Sequence, residues 1–244
     1  MTTFILIHGA WQGGWCWEGL AKLLREQGHQ VFTPDLPGHG KNPYPLSEVT
    51  YEVYYKSLEQ ELLEHTEPVV LVAHSMSGMM AAPLLDNYPE KIAHLYLIAA
   101  IVAQDGESLF DVVTKGGPSV IPDILIDNPE DKTQSLDLNK VKKAFYYDCP
   151  SDIADWAIKQ LQPQPVAPFA TPIYWKDSGR TLHKRTYILC ENDRDVHPQT
   201  QMNVIERYPC KVQKIAACHF PFLSTPHKLI EIIAQRDVLI EVPC

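Results

Sequence analysis

Residues 69–78 read "VVLVAHSMSG", an apolar run from Val69 to Ala73 that ends in a histidine and a serine. An apolar run without alternation is what a strand covered on both faces requires. The residues after it, Met79–Asn87, are helix-like, and Pro83 should kink them. A serine at a sharp strand-to-helix turn projects beyond the strand's carboxyl end, beside a helix N-terminus that would stabilise an oxyanion. The spacing departs from G-x-S-x-G at both outer positions, where Ala73 and Ser77 stand instead. They are the smallest replacements available. Alone, the stretch leaves Ser75 between a nucleophile and a structural serine.

Further short apolar runs lie on either side: Phe4–Ile7, Val31–Thr33, Leu95–Ile101, Thr186–Cys190 and Lys211–Ala216. Amphipathic stretches separate them. Leu20, Leu23 and Leu24 share a face, as do Tyr51, Tyr55, Leu58 and Leu62. Thr225 then Pro226 reads as an N-cap and first helical position. Strands alternating with helices predict an α/β fold, a mostly parallel sheet flanked by helices. From about Ala103 to His183 the alternation stops, and eight of the 20 prolines fall there. An irregular insertion of that length reads as a helical, proline-rich lid or binding region. The organisation expected is a core of residues 1–102 and 184–244 carrying a lid at 103–183. Most of the lid's aromatic residues are read as packing.

The 244 residues carry a net charge of -9, with no basic run, which argues against nucleic acid and anionic membrane surfaces as partners. The opening MTTFILIHG is too short for a signal peptide, and no later stretch is long and apolar enough to span a membrane, so a cytoplasmic protein is expected. The six cysteines lack metal-like spacing and read as free, mostly buried thiols. The apolar tail 237–244, "DVLIEVPC", could pair with another strand or with a second copy of the chain in a homodimer.

A serine hydroxyl is a weak nucleophile at neutral pH and needs a base, which in turn needs an orienting carboxylate. The run Thr186–Cys190 is followed by Glu191-Asn192-Asp193-Arg194-Asp195, and the last run leads to His219. Both candidates follow strands on the same side of the sheet as Ser75, where open α/β sheets form their sites. Ser75, Asp193 and His219 are therefore the candidate nucleophile, acid and base. The N–H groups of Ala10, in the loop after the first strand, and of Met76, after the nucleophile, are the candidate oxyanion donors. Gly9, Trp11 and His74 are the candidate substrate-binding residues: Gly9 lets that loop approach a ligand closely, Trp11 could touch it, and His74 flanks the site and supports the elbow. Rivals remain: Ser77 as nucleophile, and Asp195, Glu191 or Asp105 as acid. His8 reads as a strand-end histidine bonded to nearby backbone, His197 as a solvated residue at a helix start, and Cys218 as structural.

The stretches "LIHGAWQGGWCW" (6–17), "PDLPGHG" (34–40), "HSMSGM" (74–79), "CENDRDVHP" (190–198) and "ACHF" (217–220) resemble the α/β-hydrolase superfamily over nearly the whole chain. More narrowly they are similar to the small methylesterase and hydroxynitrile-lyase group. That resemblance implies the triad Ser75, Asp193 and His219, with Ala10 and Met76 as oxyanion donors. The lyases carry a threonine where Gly9 stands and a lysine where Phe220 stands, which favours ester hydrolysis here. The function expected is a cofactor-free, metal-free serine carboxylesterase acting on a small, largely apolar ester. A receptor-like protein with little turnover and a lyase or acyltransferase are the alternatives.

Overall fold

The computed structural model describes residues 1–234. Its strands are β1 (Thr3–Ile7), β2 (Gln30–Phe32), β3 (Val69–His74), β4 (Ile92–Ile98), β5 (Leu125–Asn128), β6 (Thr133–Leu136), β7 (Gln164–Pro165), β8 (Arg185–Cys190) and β9 (Lys211–Ile215). Six of them form one parallel sheet in the order β2-β1-β3-β4-β8-β9. Every residue of β3 and β8 is buried, as the unbroken apolar runs predict. The strand order reverses beside β1, since β2 lies on one side of it and β3 on the other. Chains leaving a sheet at such a point open a crevice beyond the carboxyl ends of the strands. Ile7 is in register with Ala73, so the loops that begin at His8 and His74 leave the sheet side by side.

The helices present the faces their spacing implies, with small differences. In Glu18–Glu26 the buried residues are Leu20, Ala21 and Leu24. In Tyr51–Leu63 they are Tyr54, Leu58 and Leu62, one turn apart, whereas Tyr51 and Tyr55 are half-buried. Thr50 caps that helix by accepting the Val53 N–H at 3.3 Å. Helix Gly78–Asn87 runs through Pro83 without a break and is buried along almost its whole length, behind β3. Thr225 precedes helix Pro226–Ile233 as expected, but its hydroxyl donates back to the Pro221 carbonyl (3.4 Å) instead of capping.

Two expectations need correction. The fourth strand begins and ends three residues earlier than its apolar run suggests, because Ala99 turns to φ 43° and Ile101 N–H donates to the Ser75 carbonyl at 2.9 Å. The segment 103–183 is not free of strands: β5, β6 and β7 make a small antiparallel sheet among short helices. Its strands, "LIDN" and "TQSL", are short, polar and partly exposed, so they carry no hydrophobic period to be read. No helix among the described residues is long and apolar enough to cross a membrane. The tail 237–244 lies outside the described residues.

Candidate active site

β3 ends at His74, and Ser75 begins a single 3-10 turn that runs into helix Gly78–Asn87. Ser75 has φ 53°, a left-handed conformation that costs an L-residue roughly 1 kcal/mol. The surrounding contacts hold it there. Ser77 is buried and its hydroxyl lies 2.8 Å from the His74 carbonyl and 3.1 Å from the Ile7 carbonyl, fastening the turn to β1. That bonding makes Ser77 a brace and removes it as a nucleophile. The tight packing behind the turn falls on Gly78, where a Cβ would lie 2.5 Å from the Ile101 carbonyl oxygen. Gly9 does the same from the β1 side: a Cβ there would stand 2.8 Å from His74 Nδ1 and 2.9 Å from Ser75 Cβ.

On the other side of the crevice, β8 and β9 deliver the acid and the imidazole. His219 Nδ1 donates to Asp193 Oδ2 at 2.6 Å, and both side chains are buried. The other carboxylate oxygen of Asp193 accepts the backbone N–H groups of Asp195 (2.8 Å) and Val196 (2.9 Å). Gln201, buried at the start of helix Pro198–Arg207, donates to Asp193 Oδ2 (3.2 Å) and to the Val196 carbonyl (2.8 Å). Asp195 approaches the opposite nitrogen, with Oδ2 3.4 Å from His219 Nε2. Thus Asp193 sits where an orienting acid belongs and Asp195 does not, while Glu191 and Asp105 are exposed. Ser75 Oγ and His219 form no hydrogen bond among the described residues; such bonds often tighten only when substrate binds.

Burial disfavours the charged imidazole of His219, but the carboxylates of Asp193 and Asp195 overcome it and raise its pKa above the ordinary 6.5. Asp195 is itself pushed up to about 6, by burial first and by Asp193, against the pull of His219. His74, expected among the substrate-binding residues, does not line the cavity. It is buried behind the imidazole, with Nε2 donating to the His219 carbonyl at 2.9 Å, and burial holds it neutral. His8 accepts the Leu36 N–H on Nε2 (3.0 Å) and donates from Nδ1 to the Gly9 carbonyl (2.8 Å), the backbone role expected of it. Cys218 is buried, its N–H donating to Asp148 Oδ2 at 2.7 Å, which pins the loop just before His219. Donor atoms of Asp148, Cys149 and Cys218 come within 4.8 Å of one another, a grouping that sequence spacing cannot reveal across so many residues.

Ala10, Trp11, Ser75, Met76 and Asp195 line one cavity of about 470 Å³. Its remaining wall is largely apolar, including Leu109, Phe110, Ile121 and Phe169 from the 103–183 segment. Trp11 has φ 60° and is fixed at both ends: its N–H donates to Gln164 Oε1 (3.3 Å) and its indole to the Gln134 carbonyl (2.9 Å). The Ala10 N–H makes no hydrogen bond among the described residues, and the Met76 N–H lies in a first helical turn, where N–H groups lack intrahelical partners. Gln201 and Asp195 were not identified in these roles from sequence. A glutamine eight residues after the acid carries no motif, and Asp195 entered only as a rival for the acid.

Residues 4–232 match the model of the alpha/beta hydrolase family. The chain belongs to that family. This alpha/beta hydrolase is 31% identical over 197 residues to a carbendazim hydrolyzing esterase of Nocardioides sp. (78% of this chain, 81% of that protein). It is 30% identical over 251 residues to methylesterase 9 of Arabidopsis thaliana (95% and 96%). Among solved structures it is similar to a pyrethroid hydrolase from Sphingobium faniae JZ-2, with TM-score 0.86, 27% identity and 98% of each chain covered. The resemblance to small methylesterases and the expectation of an enzyme that hydrolyses carboxylic esters agree with these relatives.

Proposed function

We propose that this alpha/beta hydrolase is a serine carboxylesterase that cleaves small, largely apolar esters through an acyl-enzyme. One observation carries the reading: a serine held at positive φ opens into an apolar cavity that it shares with Asp195, whose carboxyl lies 3.4 Å from Nε2 of an imidazole whose far nitrogen is bonded to a buried carboxylate. Asp193 keeps the proton of His219 on Nδ1, so Nε2 is the free base. Ser75 Oγ attacks the ester carbonyl as Nε2 takes its proton. The Ala10 and Met76 N–H groups receive the oxyanion, each such donor typically contributing about 3 kcal/mol to the transition state. His219 then protonates the departing alcohol, and later activates the water that releases the acid.

The segment 103–183 acts as the lid, covering the ester and excluding water through the apolar side chains it places in the cavity wall. The free thiols Cys16, Cys149, Cys190, Cys210 and Cys218 suit a reducing, cytoplasmic setting. Ser75→Ala should abolish both turnover of p-nitrophenyl acetate and labelling by a fluorophosphonate while the protein stays folded. Unchanged turnover in a pure preparation refutes the assignment.

A further inference from the structure

Asp195 is the one charged residue among the described residues that line the cavity. Its side chain is 12% exposed, and its Oδ2 lies 3.4 Å from His219 Nε2. No other described side chain donates to it, while its backbone N–H is spent on Asp193. The triad needs an acid on Nδ1, and Asp193 occupies that place, so Asp195 is left over from the ordinary mechanism. Its position is nonetheless set by that mechanism. Nε2 must meet first the Ser75 proton and then the leaving oxygen. A carboxyl oxygen 3.4 Å from Nε2 therefore stands about one hydrogen-bond length from the reacting groups.

A bound ester shuts water out of an apolar cavity, and a carboxyl left there without a donor is costly. While His219 is neutral, its Nε2 offers no proton to Asp195 and must accept one from Ser75. The missing donor has to come from the substrate. Burial, aided by Asp193 and opposed by His219, puts the Asp195 carboxyl at about 6, so at neutral pH it is chiefly an acceptor.

We propose that Asp195 is a specificity-determining residue that selects esters bearing a hydroxyl or N–H donor beside the scissile carbonyl, over esters of the same shape that lack it. This rests on the serine esterase reading above. A site with a buried polar group waiting for a donor rejects the donorless analogue far better than an apolar site rejects a change of size.

The test compares kcat/KM for two pairs. Each enantiomer of methyl 2-hydroxyhexanoate is set against methyl 2-methylhexanoate, and 2-hydroxyethyl hexanoate against propyl hexanoate, one pair for each side of the carbonyl. Wild type is measured beside Asp195→Leu and Asp195→Asn, and the ratio of ratios cancels the esters' intrinsic reactivity. In at least one pair, the wild-type preference for the donor-bearing ester should exceed that of Asp195→Leu by about tenfold or more. Asp195→Asn, which keeps an acceptor oxygen, should retain part of the preference. Equal ratios in wild type and Asp195→Leu for both pairs overturn the proposal, even if the variants alter pH dependence. Absence of turnover of every ester by wild type would instead strike the esterase reading itself.

Discussion

Asp193→Asn is a change of one atom whose effect follows from the hydrogen bonds at the carboxylate. Oδ1 of Asp193 accepts two backbone N–H groups, at 2.8 and 2.9 Å, and Oδ2 faces His219 Nδ1 and Gln201 Nε2. An asparagine must put its oxygen toward the two backbone donors, because its NH2 group there would meet both of them. The NH2 then faces His219 Nδ1 and the Gln201 amide. Gln201 cannot turn over to help, since its Oε1 accepts the Cys190 N–H (3.0 Å) and its Nε2 donates to the Val196 carbonyl (2.8 Å). The imidazole can meet the new donor only by accepting on Nδ1, which moves its proton to Nε2. Nε2 then cannot take the serine proton. A wrong tautomer of this kind costs about 10⁴ in kcat, or roughly 5 kcal/mol of barrier. The crowded NH2 leaves at least one buried donor unsatisfied, so stability should fall by about 1–3 kcal/mol. Steady-state hydrolysis of p-nitrophenyl acetate measures the first effect and thermal unfolding the second. A folded Asp193→Asn enzyme within tenfold of wild-type kcat would refute the assignment of Asp193 as the orienting acid.

The pH profile should have an acid limb set by His219. The base must be neutral, its pKa lies above 6.5, and kcat/KM should therefore fall as pH drops through a value higher than that of a free histidine. Asp195→Asn removes one of the charges that raise it, so the limb should move to lower pH; a limb that stays in place contradicts the 3.4 Å pairing. Gly78→Ala puts a Cβ 2.5 Å from the Ile101 carbonyl oxygen and should cost about 1–3 kcal/mol by denaturant titration, whereas a neutral result would mean that the elbow is less tightly packed. Arg185→Met removes a fully buried guanidinium that bonds Asp177 and Thr181 and lies 4.0 Å over the Tyr208 ring, leaving the partly buried Asp177 without its counter-charge and with only the Gly179 N–H as donor. About 2–4 kcal/mol should be lost, and Asp177→Ala in the same chain should restore part of it.

The α/β class was legible in the residues, and the groups of the candidate site could be proposed from them, because both depend on local pattern. Runs such as Val69–Ala73 and Thr186–Cys190 show no alternation when both faces are covered, and Ser75 and Asp193 follow such runs, while His219 follows the mostly exposed β9 at the same carboxyl edge. The resemblance of the linked motifs then narrowed the fold to one family. Sequence could not rank Asp193 against Asp195, because residues two apart in one loop differ only in where the backbone aims them. Folding sends one carboxylate to Nδ1 and the other to Nε2. It was likewise silent on β5, β6 and β7, whose polar, short strands are paired by their surroundings and not by any hydrophobic period. His74 shows the same limit: next to Ser75 in the chain, it faces the back of His219 once β3 has set its direction. What the residues alone determined was which groups could do the chemistry and in what order along the chain. Which nitrogen, which oxygen and which side of the cavity each one meets was decided by tertiary packing, because those are differences of a few ångströms between segments far apart in sequence.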